Sequence, residues 1–339
     1  MGTNNMSRIK IGQIGLGHNH GEGKMAAVRK FPELFDVVGY AEPDDAWVAQ
    51  RGGLSVYDGL PRMDTETLIA RCDALLIETD VWNLTKTAQR CVAHGKHIHM
   101  DKPAGGSLTE FGALLRDAEA QHLVLQMGYM YRYNPAVRHA LALAKSGALG
   151  EIRSIVAEMS TAHSPSFRDW LRHFDGGTFY IFGSHLVDLI VSALGTPQRV
   201  SACFQRTGAD GVDVVDQSFA LLRYERAMAR VFVSSVEVNG WGERQFSICG
   251  SDASVHIRPL ENPVCVTYSD RSIADNAYRD RKKTLDFPDW CNANRYDDMM
   301  QAFAAYVHGE AQNPYSYAYE YAVQKTLCDI IHAGKEEAR

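Results

Sequence analysis

The sequence contains no Cys-x-x-Cys pair, no long run of basic residues and no long uninterrupted apolar stretch. Its seven cysteines are scattered, which is typical of free thiols in a reducing compartment and argues against a disulfide framework or a zinc ribbon. The most apolar stretch, residues 179–194, includes His185 and Asp188 and is too short to cross a bilayer. Because there is no basic patch and the net charge is −6, nucleic acid and anionic membranes are not expected partners.

The first residues, MGTNNMSRIK, lack the apolar segment of a signal peptide, so we expect a cytoplasmic protein. The composition is that of a folded globular chain, with 45% hydrophobic and 22% charged residues. A length of 339 residues exceeds that of one ordinary core, and two domains are therefore expected.

Strand and helix patterns alternate through the first 130 residues. Short apolar runs predict strands at residues 8–14, 35–41, 73–78, 97–100 and 123–127. Helical segments lie between them, among them 109–121, which Ser107 and Glu110 open as a capping box. This alternation predicts βαβ units and an α/β fold with a doubly wound parallel sheet, which we place at residues 1–130.

The pattern changes after Asn134-Pro135, which opens a helix that Gly147 ends. Strand patterns follow at 152–160, 199–205, 217–224, 227–238 and 245–249, and helices are expected at 178–194, 296–308 and 319–333. Little helix separates the last four strands, which favours antiparallel pairing. We therefore expect residues 131–339 to form an α+β domain with an open, mostly antiparallel sheet, whose C-terminal helix could pack back on the first domain.

The segment Gly15-Leu16-Gly17-His18-Asn19 follows a strand and precedes a helix, which is the context of a dinucleotide-binding loop. Glycines there permit a tight turn and let the backbone approach a pyrophosphate at the helix N-terminus. The match is imperfect, because His20 occupies the third glycine position. Glu42 ends the second strand, where a carboxylate can accept both ribose hydroxyls of NAD. Since Asp44 and Asp45 follow and no arginine or lysine adjoins Glu42, NAD is expected rather than NADP.

Further motifs extend this pattern over nearly the whole chain. They are Gly95-Lys96-His97, Met100-Asp101-Lys102-Pro103, Tyr131-Arg132-Tyr133-Asn134-Pro135, residues 146–152 (SGALGEI), Gly176-Gly177 and Gly183-Ser184-His185-Leu186-Val187-Asp188. Together with the glycine loop, they resemble the glucose–fructose oxidoreductase/inositol dehydrogenase (Gfo/Idh/MocA) family. The resemblance implies a Rossmann domain joined to an α/β domain with an open, mainly antiparallel sheet. It also implies nicotinamide-dependent hydride transfer at a secondary alcohol of a sugar or cyclitol.

The resemblance assigns catalytic roles to two residues. Lys102, from the family's Glu-Lys-Pro motif, would stabilise alkoxide character on the substrate oxygen. His185 would take the hydroxyl proton as general base. The family usually has an aspartate four residues before this histidine, and here that position is Ile181. Either the two residues suffice, or an acid such as Asp169 or Asp175 substitutes, or the chemistry has changed.

The remaining candidates would contact the cofactor or the substrate. Cofactor contacts are expected from Gly15, Gly17, His18, Asn19, Glu42, Thr79, Asp101, Lys102 and Arg132. Substrate contacts are expected from Tyr129, Arg168, Asp169, Trp170 and Asp188, although a solvated loop around Trp170 is an equal alternative. The pairs His18-x-His20 and His97-x-His99 lack a partner at ligand spacing, and no metal is expected.

Three functions stay open at this point. The first is NAD-dependent oxidation of a sugar, glycoside or cyclitol, for which Lys102, His185 and Glu42 argue. The second is a redox-neutral lyase or glycosidase that oxidises its substrate transiently and retains NAD, which the absent aspartate favours. The third is a sensor that binds a nucleotide and a sugar without catalysis. The resemblance also implies a homodimer or homotetramer built on an exposed sheet face.

Overall fold

The computed structural model describes residues 7–105, 107–272, 282–288, 290–291 and 293–337. The chain divides into two compact units, each built on one sheet. The first unit contains Met1–Met130 and Asn292–Tyr321, and the second contains Tyr131–Cys291 and Ala322–Arg339. No helix within the described ranges combines the length and the apolarity needed to cross a membrane.

The first unit contains a five-stranded parallel sheet. Its strands are β1 (Ile9–Ile14), β2 (Phe35–Ala41), β3 (Ala74–Ile77), β4 (His97–Met100) and β5 (Leu125–Met127), and the helices between them are α1 (Gly21–Lys30), α2 (Asp45–Arg51), α3 (Thr65–Arg71), α4 (Leu84–Ala93) and α5 (Leu108–Ala120). Every residue of β3 is buried, as expected of a central strand covered on both faces. The predicted parallel α/β sheet is confirmed.

The strand order β2-β1-β3-β4-β5 determines where this unit can bind a ligand. From β1 the chain moves to one side to form β2, and it then crosses to the other side of β1 to form β3. In open parallel sheets, ligands bind at the carboxyl ends of the strands where the direction of winding reverses. The segments that follow β1 and β3 therefore form the candidate binding edge.

The second unit contains an eight-stranded sheet of order β13-β12-β11-β10-β6-β9-β8-β7. Its strands are β6 (Ile152–Ser160), β7 (Arg199–Gln205), β8 (Gln217–Arg223), β9 (Met228–Ser234), β10 (Gln245–Gly250), β11 (Ala253–Ile257), β12 (Val266–Asp270) and β13 (Lys283–Leu285). These neighbours pair antiparallel, except that β6 and β9 run parallel. The predicted open, mostly antiparallel sheet is confirmed. Strands β11, β12 and β13 were not predicted: β11 is short, although Ala253, Val255 and Ile257 alternate with polar residues, and β12 and β13 contain few apolar residues.

The helices of the second unit are α6 (Pro135–Lys145), α7 (Pro165–Leu171), α8 (Ser184–Leu194) and α9 (Gly240–Glu243). The helix predicted at 178–194 begins as a π-helical turn, Phe179–Gly183, and continues as α8. Single π-helical turns occur frequently at functional sites. Because Ser184 and the seven residues after it are all buried, α8 belongs to the core of this unit.

Helices α10 (Asp297–Val307) and α11 (Tyr317–Glu337) follow the second sheet. The ring of Phe303 in α10 lies 6.1 Å from that of His99 in β4. The hydroxyl of Tyr317 donates to the carbonyl oxygen of Leu123 at 2.7 Å. These contacts group Asn292–Tyr321 with the first unit, whereas the predicted boundary assigned residues 131–339 to the second domain and let only its C-terminal helix pack back on the first. Local patterns do not report contacts between such distant parts of a chain.

Truncation of Phe303 to alanine should lower the free energy of unfolding by about 3–5 kcal/mol, because the fully buried ring would leave a cavity. Gln301→Ala, at an exposed position of the same helix, should change it by less than about 0.5 kcal/mol. Denaturant unfolding measures both values. Equal effects of the two variants would mean that α10 contributes no packing to the first unit.

Candidate functional site

The glycine loop closes tightly against the end of β3. Gly15 has a φ of +95°, in the left-handed region, and a Cβ there would lie 2.4 Å from the backbone nitrogen of Thr79. A Cβ on Gly17 would lie 2.9 Å from the carboxylate of Asp80. Position 15 therefore requires glycine, whereas a side chain at Gly17 would displace the Asp80 carboxylate. The loop backbone thus reaches the binding edge without intervening side chains. Asn19, just before α1, is exposed.

Glu42 lies against the glycine loop. Its Oε2 accepts the backbone N–H of Leu16 at 2.6 Å, and its Oε1 accepts that of Asp44 at 2.9 Å. The residue is 6% exposed, and burial raises the pKa of its carboxyl despite these two bonds. Each carboxylate oxygen has a second lone pair, so Glu42 could also accept the ribose hydroxyls that were predicted for it.

Two arginines near this edge were missed by the sequence analysis. Arg62 donates to the carbonyl oxygen of Glu42 at 2.8 Å and pairs with the carboxylate of Asp45 at 2.7 Å. Arg51 donates to two carbonyl oxygens of the glycine loop, at 3.0 and 2.8 Å. No local signal indicates either contact. A parallel bridge between Tyr40 and Arg62, formed across α2, brings the guanidinium of Arg62 beside the predicted ribose acid.

A buried ion network adjoins the loop. Lys24 of α1, Glu78 after β3 and Asp101 after β4 are each 0% exposed. Lys24 Nζ donates to Glu78 Oε1 at 2.9 Å and to Asp101 Oδ2 over a shorter distance. The Nδ1 atoms of His18 and His20 each lie 3.1 Å from that same Asp101 oxygen. His18 and Asp101 were predicted to contact the cofactor. No spacing in the sequence indicated that both would belong to one network with Lys24.

Three of these side chains could be considered as metal ligands. Ligand atoms of His18, His20 and Asp101 lie within 4.8 Å of one another. However, the ammonium of Lys24 already contacts the shared Asp101 oxygen, and its positive charge would repel a divalent cation. We therefore assign the cluster as a hydrogen-bonded ion network.

Lys102 follows β4 at the carboxyl edge of the parallel sheet. It is 2% exposed, and its backbone N–H donates to Asp101 Oδ1 at 2.6 Å. Tyr129, which follows β5 at the same edge, is also 2% exposed. A cationic group in such a buried position interacts strongly with negative charge that develops nearby. The edge therefore carries the predicted catalytic lysine and most of the predicted cofactor residues.

In the second unit, His185 lies in the first turn of α8 and is 3% exposed. Its ring and that of Tyr131 meet edge to face, with centroids 5.2 Å apart. The hydroxyl of Tyr131 donates to Glu261, which also accepts from Arg244 at 2.8 Å. Ile181, at the position of the family's aspartate, is 6% exposed. The predicted base is therefore packed against a tyrosine that a buried carboxylate anchors.

The acids considered as substitutes for that aspartate are engaged elsewhere. Asp169 pairs with Arg172 at 3.3 Å, and Asp175 pairs with Lys335 at 2.5 Å. Both acids are exposed. These pairs give neither carboxylate a contact with His185.

Arg132 and Asp188 form a buried ion pair with each other. Arg132 Nε lies 3.1 Å from both Asp188 oxygens, and Nη2 donates to Oδ1 at 2.7 Å. Neither residue is more than 3% exposed. Asp188 lies on α8, three residues after His185, so the ion pair holds Arg132 against that helix. Contact of Arg132 with the cofactor, or of Asp188 with the substrate, stays a prediction.

Two predicted substrate residues in the segment before α8 make contacts within the protein. Arg168 is 1% exposed, pairs with Asp210 and lies 3.7 Å from Asp216. Trp170 packs between two phenylalanine rings, with centroids 5.4 and 4.9 Å away. Contact of these residues with substrate also stays a prediction.

Comparison with known proteins supports the motif-based resemblance. Residues 137–256 match the family model described as the GFO/IDH/MocA C-terminal domain. A scyllo-inositol 2-dehydrogenase (NADP(+)), IolW of Bacillus subtilis, is 28% identical over 170 residues, which are 48% of this chain and 46% of the relative. The match therefore spans about half the length of such curated relatives. The predicted resemblance to this family is confirmed.

Solved structures with similar folds cover nearly the whole chain. A UDP-N-acetylglucosamine 3-dehydrogenase, GnnA of Acidithiobacillus ferrooxidans, superposes with a TM-score of 0.79 at 19% identity, covering 98% of this chain and 100% of that one. An Agrobacterium radiobacter oxidoreductase, solved in complex with NAD+, L-tartaric acid and magnesium, superposes with a TM-score of 0.82 at 16% identity, covering 98% and 97%. At these identities the similarity establishes the fold.

Asp188→Ala should lower the free energy of unfolding by about 3–5 kcal/mol, because it removes the carboxylate that pairs with a buried guanidinium. The double variant Arg132→Met, Asp188→Leu should recover much of that loss. Denaturant unfolding of the three proteins provides the comparison. If Asp188→Ala were as stable as the wild type and changed only KM, Asp188 would be a substrate ligand instead.

Proposed function

Because residues 137–256 belong to the GFO/IDH/MocA C-terminal domain family, we propose that the protein is a nicotinamide-dependent oxidoreductase. It transfers a hydride between a secondary alcohol of a sugar, glycoside or cyclitol and the nicotinamide. The observation that carries the proposal is the binding edge of the first unit. There, a loop that must contain Gly15 lies at the winding switch of the sheet, and buried Lys102 follows a strand of the same sheet.

The glycine loop fits a dinucleotide, because Gly15 and Gly17 leave its backbone open at the N-terminus of α1. Loop N–H groups would hold the pyrophosphate, and Glu42 would hold the adenosine ribose. The nicotinamide, when bound, supplies the capacity to accept or donate a hydride. Binding, orientation and charge are supplied by the chain itself.

Lys102 and His185 supply the remaining chemistry. An alcohol that loses a hydride from carbon must also lose the proton from its oxygen. His185 accepts that proton as general base, and the Lys102 ammonium stabilises the oxygen while it is partly negative. In the reverse reaction the same groups return the proton to the carbonyl oxygen. Because Lys102 and His185 are only 2% and 3% exposed, water competes little for either group.

NAD is proposed as the cofactor rather than NADP. The carboxylates of Glu42, Asp44 and Asp45 would repel a 2′-phosphate. Arg62 is the opposing feature, since its guanidinium could attract one, but it already pairs with Asp45. The acids therefore outnumber the available positive charge beside the predicted ribose site.

A second function, a redox-neutral lyase or glycosidase, is favoured by Ile181. An apolar residue stands at the family's acid position, while Asp169 and Asp175 pair with other residues. Transient oxidation of a sugar hydroxyl to a ketone acidifies the adjacent C–H bond. A leaving group at the next carbon can then be eliminated, and the retained NADH returns its hydride to the ketone. Such a reaction leaves no net change in the nicotinamide.

We also propose a homodimer or homotetramer in the cytoplasm. The exposed face of the second sheet includes Phe219 and Met228, which are 42% and 55% exposed, and this apolar surface supports self-association. All seven cysteines are free, which supports a reducing compartment. Light scattering of the purified protein gives the number of subunits.

The first test is to mix the protein with NAD and a panel of hexoses, glycosides, uronates and inositols, and to follow the absorbance of reduced nicotinamide. A dehydrogenase should form NADH with at least one compound. Lys102→Met should lower turnover by about 10²–10³-fold while NAD affinity stays near that of the wild type. Lys96→Met, at the other end of β4, is the matched control and should leave turnover unchanged.

The outcomes of this test separate the two functions. Product formation detected by mass spectrometry without NADH accumulation would favour the redox-neutral reaction. Full activity of Lys102→Met would remove the lysine from either mechanism.

For the cofactor, we expect NAD to bind at least about tenfold more tightly than NADP, a difference of about 1.4 kcal/mol. Arg62→Ala should weaken NADP binding further and leave NAD binding unchanged, because only NADP has a 2′-phosphate beside the guanidinium. Arg90→Ala is the control, since Arg90 lines the same groove but pairs with Glu66. Titration of each variant with both nucleotides measures the affinities. Tighter NADP binding by the wild type would reverse the assignment.

A further inference from the structure

Lys24 is a fully buried lysine of α1, and lysine is almost never fully buried unless it is paired. Its ammonium contacts Glu78 and Asp101, so it joins the helix after the glycine loop to the ends of β3 and β4. Buried ion pairs can often be replaced by apolar residues without loss of stability. The presence of this network at the binding edge therefore suggests a role beyond stability.

The two oxygens of Asp101 have different partners. Oδ1 accepts the backbone N–H of Lys102 at 2.6 Å. Oδ2 accepts from Lys24 and from Nδ1 of His20, and Nδ1 of His18 lies 3.1 Å from it. One carboxylate thus holds the backbone of the proposed catalytic lysine and both histidines of the glycine-loop segment.

Burial disfavours every charge in this network. It raises the pKa of Glu78 well above its ordinary range despite the adjacent Lys24. Burial also acts to raise the pKa of Asp101, but the imidazoles and the Lys24 ammonium hold it well below its usual range. Burial lowers the pKa of His20 to about 4 and that of His18 well below its usual value. Burial and the neighbouring groups therefore favour a charged Asp101 and disfavour charge on Glu78 and on both imidazoles.

We propose that Lys24 is a positioning residue: its ammonium fixes the Asp101 carboxylate, which in turn orients Lys102 and holds the two loop histidines in place. The effect on turnover rests on the proposed function. The link between Lys24 and the histidines does not, because it involves only residues of the first unit.

Removal of Lys24 should transfer its charge to the imidazoles. In Lys24→Met, Asp101 has His18 and His20 as its nearest partners. Protonation of one imidazole ring would again give the carboxylate a positively charged neighbour. The groups that face His20 are Asp101, the other imidazole, the ammoniums of Lys24 and Lys102, and the ring of Tyr296 at 6.0 Å. The Lys24 ammonium repels a positive charge on His20. Its loss therefore raises the pKa of His20.

The pH dependence of stability then weakens. In the wild type, the folded-state pKa of His20 lies below the unfolded value, so its contribution to stability is present above about pH 6.5 and is lost as the pH falls. In Lys24→Met, the pKa of His20 lies closer to its unfolded value, so less stability is lost over the same fall in pH.

The experiment is a pH titration of the full-length protein labelled with ¹³C in its histidine rings, with resonances assigned by His18→Asn and His20→Asn. In the wild type, His20 should titrate with a pKa of about 4, and His18 below its usual range. In Lys24→Met, at least one ring should titrate at a higher pH, and turnover should be lower than in the wild type. Lys30→Met is the control, because Lys30 is on the same helix but is partly exposed and pairs with Asp297.

Unchanged histidine titration in a folded Lys24→Met would overturn the proposal. A stoichiometric divalent metal in the wild-type protein would also overturn it, because the ion would take the place assigned to Lys24. If Lys24→Met does not fold, Asp101→Asn is the variant to measure. Glu78 can then ionise beside Lys24, so the buried ammonium keeps a negatively charged partner. In that variant, kcat should fall at least tenfold, and an unchanged kcat would refute the positioning role. If no substrate is found, the ring titration alone decides.

Discussion

A buried ammonium must lie against a negative charge, and in this protein that requirement falls at the carboxyl edge of the parallel sheet. Lys24 lies between Glu78 and Asp101, so α1 and the ends of β3 and β4 share one ion network. Asp101 then contacts the backbone of Lys102 and the loop histidines. The geometry of the proposed catalytic lysine and that of the proposed cofactor loop therefore depend on the same carboxylate.

The second unit positions its proposed base by a comparable device. Asp188, three residues after His185 on α8, is held by Arg132, and the neighbouring Tyr131 packs edge-on against the imidazole. Glu261 anchors the tyrosine hydroxyl. In each unit, then, a buried carboxylate near the residue that would act restricts its position. Such restriction is what a catalytic group needs in order to meet its substrate with little reorganisation.

The elements that the sequence predicted well are those whose pattern is local. The strands of the parallel sheet are short continuous apolar runs, such as residues 74–77, because both of their faces are covered. The strands β12 and β13 are short and mostly polar, which gave them a weak pattern. Strand β11 alternates clearly but is only five residues long. The grouping of α10 with the first unit depends on contacts such as Phe303 with His99, which join residues far apart in the chain.

The sequence by itself determined the fold class and located the glycine loop and the acid after β2, because their patterns are local and have a regular spacing. The two proposed catalytic residues follow from the family resemblance. Only the tertiary structure decided their surroundings. It brought Arg62 to Glu42, paired Arg132 with Asp188, and enclosed Lys24 between two carboxylates. Charge pairing and burial are properties of neighbours in space, and those neighbours come from separate strands and helices that only folding brings together.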